Sequence, residues 1–181
     1  GHGAAAEVVA LSGTAASVVS FGAVVPSAFA ICSATRYTGG AKKRILEGGG
    51  ANWLHGHWNG AAGVAYYEDW KTASTNQASP DTDWVVMCGS NDGADQLKLA
   101  NGVDVGTAKG GVGGVSLWIN GGGNGNQPWS DFAVAEVIVW PRGLTAEEAY
   151  AASTYLMGRV LGVTAPAAPP SPPSPPSPPS P

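Results

Sequence analysis

Apolar and polar residues alternate along most of this chain in short runs, separated by Gly, Asn, Asp, Ser or Pro. "ASVVSFG" (16–22) alternates, and "AFAICSATRY" (28–37) is longer and richer in apolar residues. "KRILEG" (43–48), "NWLHGHW" (52–58) and "GVAYYEDW" (63–70) follow at short spacing, then "DWVVMCG" (83–89). A strand turns successive side chains to opposite faces, so short runs between turn signals predict an antiparallel sandwich or barrel. In "LKLANGVDVG" (97–106), Asn101-Gly102 tolerates positive φ at both central positions, as a two-residue type I′ hairpin turn requires. "GVSLWING" (114–121), a loop "GGGNGN" (121–126) and "DFAVAEVIVW" (131–140) complete the strands. Pro141 ends the last one by removing a ladder donor.

The helical pattern comes late. Thr145 and Glu148 form a T-x-x-E capping box, and Glu147 adds negative charge at the positive helix start. Ala149, Ala152, Leu156 and Val160 then fall near one face, and Gly162 supplies a stop. These patterns predict an all-β, antiparallel domain over residues 1–164 with one short C-terminal helix.

Residues 165–181 cannot join that domain. In "APAAPPSPPSPPSPPSP" each proline fixes φ near −65° and lacks a donor, which leaves the extended polyproline II helix with three residues per turn. The Ser-Pro-Pro repeat matches that turn, so Ser171, Ser174, Ser177 and Ser180 line one edge of a rod. A stiff spacer and a ligand for proline-reading domains are the plainer readings, although no basic residue flanks the repeat to orient it for the latter. The run resembles the stalks of hydroxyproline-rich glycoproteins in green-algal and plant walls and matrices. That resemblance implies hydroxylation and O-glycosylation at Pro170, Pro172, Pro173, Pro175, Pro176, Pro178 and Pro179, with the four serines as further acceptors. No Asn-x-Ser/Thr sequon is present, so any sugar is expected to be O-linked.

Composition narrows the classes. Only 12% of the 181 residues are charged, the net charge is −4 and glycine numbers 27. No basic stripe offers a footprint for nucleic acid or an anionic membrane, and no apolar run approaches the ~20 residues of a spanning helix. The opening "GHGAAAEVV" lacks both an initiator Met and the pattern of a signal peptide, so the chain reads as mature or as a stretch of a longer one. Cys32 and Cys88 sit in apolar strand-like runs, either as one disulfide or as buried thiols. The tail argues for an oxidising compartment and hence for the bridge.

Three stretches, "LKLANGVDVG", "GVSLWING" and "DFAVAEVIVWPRGLTAEEA", together resemble the concanavalin A-like lectin/glucanase (laminin-G-like) superfamily. Its C-terminal strand pattern is filled by Glu136, Val137, Ile138, Val139, Trp140, Arg142, Leu144 and Thr145. The resemblance implies a jelly-roll of two packed antiparallel sheets across residues 7–161. That superfamily holds sugar-binding, hydrolytic and purely structural modules, so fold does not choose among them.

Candidate chemistry is sparse. The laminarinase-like branch carries Glu-x-Asp-x-x-Glu on one strand, a run absent here. Glu68 and Asp69 would face opposite ways in a strand, and Glu136 stands among apolar residues. His55 and His57 share a strand face with Trp53, as a metal pair or as rings stacked on tryptophan. Asp81, Asp83, Asn91, Asp92 and Asp95 offer oxygens for calcium but are equally ordinary turn residues. Trp53, Trp58 and Trp129 are the candidates for sugar stacking or an interface, whereas Trp84, Trp118 and Trp140 read as core. The basic run 41–44 reads as a solvated loop. No catalytic set, metal or cofactor is expected. The expectation is an extracellular structural glycoprotein module, a jelly-roll head on a sugar-coated stalk. It would self-associate into a wall, matrix or surface filament, with a polysaccharide-binding lectin as the alternative.

Overall fold

A computed structural model describes residues 1–122 and 129–163. The proline-rich tail and its expected glycosylation sites lie outside the described residues. The chain forms β1 (Leu11–Gly13), β2 (Val19–Val25), β3 (Ala30–Tyr37), β4 (Leu46–Gly49), β5 (Trp53–Trp58) and β6 (Ala61–Tyr67). It continues through β7 (Val85–Ser90), β8 (Lys98–Ala100), β9 (Val103–Asp104), β10 (Val115–Ile119), β11 (Phe132–Trp140) and α1 (Ala146–Leu161). Two sheets result. Sheet A has the order β1-β11-β3-β7-β8-β9 and sheet B the order β2-β10-β4-β5-β6, with every pairing antiparallel.

Two hydrophobic layers hold this arrangement. Between the sheets, Phe29, Ile31, Tyr37, Trp53, Tyr67 and Met87 are fully buried. On the far side of sheet A, Cys32, Trp84, Cys88, Leu99, Leu144, Leu156 and Val160 form a second cluster beneath α1. β3 and β7 therefore have both faces covered, which is why "AFAICSATRY" and "DWVVMCG" read as nearly unbroken apolar runs. β10 is covered on one face only and alternates strictly between buried and half-buried positions.

Local chemistry sets the connections. Asn101 and Gly102 adopt φ of 47° and 78°, the left-handed pair that the β8–β9 hairpin needs, and Asn101 Oδ1 accepts from the Val86 amide at 2.8 Å. The Thr145/Glu148 capping box is complete, Asp95 accepts from the Ala146 amide at 2.8 Å, and Gly162 closes the helix at φ 69°. Ala149, Ser153, Leu156 and Val160 are the buried positions of α1, with Ala152 half-buried beside them.

Some boundaries differ from the sequence expectation. β1 was not anticipated, because three mostly exposed residues carry no periodicity. β2 is offset toward Val25 and carries two bulges against β10, which breaks the alternation of 16–22. β4 begins only at Leu46, and β6 ends at Tyr67 as Glu68 turns the chain at φ 68°. Glu68 and Asp69 thus sit in a turn rather than on opposite faces of a strand. Glu136 is not isolated, since Arg159 of α1 pairs with it at 3.1 Å.

Cys32 and Cys88 lie directly opposite on β3 and β7, 4.0 Å apart at Cα, and form a disulfide. The bridge joins residues 56 apart in sequence, so the denatured chain loses loop entropy worth about 4 kcal/mol. Replacing both cysteines by Ala is expected to lower stability by about 4 kcal/mol and the melting temperature by about 10 °C in calorimetry. A change below ~1 kcal/mol would contradict the cross-link's role.

Candidate functional site

Strand alternation on β5 sorts its side chains. Trp53, His55 and His57 point into the inter-sheet core and are fully buried, while Leu54 and Trp58 lie on the outer face of sheet B. Inside, Trp53 and Tyr67 stack with ring centroids 5.0 Å apart and an interplanar angle of 17°, and His55 lies nearly parallel to both. His55 Nδ1 meets the Tyr67 hydroxyl at 2.9 Å and its Nε2 the Met87 carbonyl of sheet A at 3.1 Å. His57 Nδ1 meets Thr35 Oγ1 at 3.3 Å. Burial pushes His55 down to about 4 and, with His55 adding to it, His57 down to about 3. Both imidazoles are neutral structural rings at pH 7.

The outer face of sheet B carries the molecule's other concentration of rings and charge. The register aligns Ser20, Trp118, Glu47, Leu54 and Tyr66 in one row across all five strands, and directly opposed residues share a face. Trp58, Tyr66 and Trp70 are half-buried around Leu54, Ala61 and Val64, and the Tyr66 and Trp70 rings meet edge to face at 5.1 Å. Two adjacent glycines of β4 admit rings from both sides. A Cβ at Gly48 would lie 2.7 Å from that of Trp53 in the core, and one at Gly49 would lie 2.8 Å from Trp118 Nε1 outside.

Two charged side chains complete this face. Arg44 is only 6% exposed; its guanidinium lies 5.0 Å from the centre of the Trp58 ring and donates to Asn52 Oδ1 at 2.6 Å. Burial lowers its pKa, against the opposing influence of Glu47. Glu47 is fully buried; its Oε1 accepts from the Gly121 amide, while among the described residues neither Oε2 nor Arg44 Nε has a hydrogen-bond partner. A buried polar oxygen without a partner is costly to keep. Together, half-buried rings and a guanidinium stacked on one of them match the chemistry of a polyhydroxylated ligand with an apolar C–H face.

The sequence candidates fare unequally. Trp58 is on this face. Trp53 is not, because its strand position points into the core, so it is withdrawn as a stacking or interface residue. Trp129 is half-buried on the segment that leads to β11. Trp118, read as core, is half-buried on the outer face, and Arg44, read as a solvated loop residue, is packed against a ring. Glu47 was not singled out, since a lone Glu in "KRILEG" looks like any strand-end charge. Its pairing with Trp118 across β10 was the missing signal.

Four of the five residues considered for calcium, Asp81, Asn91, Asp92 and Asp95, use their side-chain oxygens on the backbone or a neighbouring lysine. Asn91 Oδ1 accepts from the Phe29 amide at 2.8 Å, Asp92 Oδ2 from Gly143 at 3.3 Å, and Asp81 pairs with Lys42 at 2.7 Å. Among the described residues, no group of three or more His, Cys, Asp or Glu side chains is placed to hold a metal ion, and no helix is long and apolar enough to cross a membrane.

Two packed antiparallel sheets with a helix on one outer face define the class of fold. No protein-family model and no curated protein matches the chain. Similar solved structures include a Trypanosoma rangeli sialidase bound to the inhibitor DANA, at 14% identity and a TM-score of 0.42. Another is the T. rangeli sialidase with 2,3-difluorosialic acid as a covalent intermediate, at 15% identity and a TM-score of 0.40. Each match covers 70% of this chain and 22% of the sialidase chain. Likeness of that extent carries no functional argument.

The depressed histidines make a pH prediction. The neutral rings favour the folded state, so their contribution is complete above the unfolded value near 6.5 and is lost as pH falls toward 4 and 3. Urea titrations are expected to show a loss on the order of 3 kcal/mol per histidine between pH 7 and pH 4. His55→Gln should flatten that slope, and an unchanged slope would contradict the buried placement.

Proposed function

We propose that this chain is an extracellular structural glycoprotein module: a concanavalin A-like jelly-roll head on a glycosylated polyproline stalk, self-associating within a wall, matrix or surface filament. The supporting observation is the Cys32–Cys88 bridge, sealed between sheet A and α1, because a structural cross-link of this kind persists in an oxidising compartment. Connectivity supports the jelly-roll reading. β1, β2, β3 and β4 alternate between the two sheets, as do β9, β10 and β11, in the sheet-exchanging manner of Greek-key sandwiches. The Ser-Pro-Pro repeat begins a few residues after the Gly162 helix cap, so the stalk would leave the head directly from α1.

A second reading rests on the outer face of sheet B. Trp58, Trp118 and Tyr66, with the Arg44 guanidinium beside Trp58, suit a lectin-like site for polysaccharide, with the stalk as its tether.

Intact-mass spectrometry of the native chain tests the first reading. Oxygen additions together with pentose or hexose increments are expected within residues 170–180, and an unmodified mass overturns the stalk. Glycan binding tests the second. Trp58→Ala and Trp118→Ala are expected to weaken any saturable binding at least tenfold, on the scale of one lost ring contact. Unchanged binding in both variants removes the face from consideration.

A further inference from the structure

The two lateral sides of the sandwich are finished differently. On one side the β6 edge is occupied: Lys71 donates to the Ala65 carbonyl at 2.9 Å, Gln77 to Ala62 at 2.8 Å, and Trp70 bridges to Tyr66. The sheet A edge on that side is β9, two residues long and ending in Asp104. Short length, charge and a covering segment are the usual ways to blunt an exposed edge.

On the opposite side β1 is also short, but β2 runs for seven residues and, among the described residues, carries neither charge nor a covering segment. β1 and β2 are the terminal strands of their sheets and are joined by a short turn, so both free edges lie together. From Val8 to Thr35 the chain holds no charged residue at all. The two bulges in β2 place extra residues against β10 and so leave neighbours Ser20 and Phe21, then Ala23 and Val24, exposed together. Val18, Phe21 and Val24 are 48%, 40% and 42% exposed, with Leu11 of β1 at 50%. Bulges ordinarily discourage edge pairing through added twist. These turn apolar side chains outward instead.

We propose that β2 pairs antiparallel with β2 of a second copy across a twofold axis, with Val18, Phe21 and Val24 covering one another. This rests on the reading of the chain as a self-associating module and names the surface that associates. Charge selects the occupant. The chain carries thirteen acidic and nine basic residues, and none of them lies on this edge. Two copies, each of net charge −4, meet here without placing like charges opposite one another. Twofold symmetry also matches donors to acceptors automatically, since antiparallel partners exchange both bonds. A seven-residue strand is about 23 Å long, well short of a standard interface, so the pair is weak in solution and is strengthened where stalks concentrate the heads.

Sedimentation velocity of the full chain, from micromolar to near-millimolar concentration, tests this. A monomer–dimer equilibrium with a dissociation constant on the order of 10–100 μM is expected. Phe21→Lys and Val24→Lys should each weaken it at least tenfold while leaving the melting temperature unchanged, because both side chains are exposed. Val103→Lys on the opposite side should dimerise as the parent does. A chain that stays monomeric throughout, open-ended growth past the dimer, or equal weakening by Val103→Lys overturns the pairing. Dimers of a chain whose tail bears no sugar uphold the pairing and overturn the stalk, whereas monomers with a sugar-bearing tail do the reverse.

Discussion

The alternation of six residues on β5 constrains everything else in this molecule. With Trp53, His55 and His57 turned inward, sheet B meets sheet A through a stack of rings that ends on a sheet A carbonyl. The same alternation turns Leu54 and Trp58 outward. A slip of one residue would exchange the two sets. It would bring two imidazoles to the surface and drive Trp58 into the space that His57 fills. The core is therefore what fixes the composition of the outer face, and a site on that face follows from the packing of the layer beneath it.

The outer face keeps an imbalance that packing alone would have removed. Arg44 and Glu47 are buried beside one another's field, each with a polar atom that no described neighbour satisfies. Hydrophobic side chains of similar size would hold such a surface at lower cost. The glycines at 48 and 49 extend the point, since they thin β4 so that Trp53 and Trp118 press on it from opposite sides. That close approach fixes both rings against the strand. The disulfide between β3 and β7 adds a covalent tie at the centre of the other sheet.

Much of the architecture was legible because it was local. The Asn101-Gly102 turn, the Thr145/Glu148 box and the Gly162 stop each depend on a few consecutive residues, and all three form as expected. The doubly covered strands were legible from their unbroken apolar runs. β1 and the β2 bulges were not, because a short edge strand carries no periodicity and a bulge is set by its partner β10. The site was the least legible part. Trp58 was found, but Trp53 was placed with it, since aromatic content does not say which face a ring occupies. Glu47 and Arg44 gained meaning only when β10 and β5 came alongside, a long-range pairing that no short window contains.

These features describe one sandwich with three differently finished surfaces: a helix-capped face, an aromatic face and an uncharged lateral edge. Hydroxyl-radical footprinting with mass spectrometry tests the underlying sorting of rings most directly. Trp58 and Trp118 are expected to oxidise readily in the folded chain while Trp53 stays protected. Equal labelling of Trp53 and Trp58 would contradict the register of β5, and with it the aromatic face.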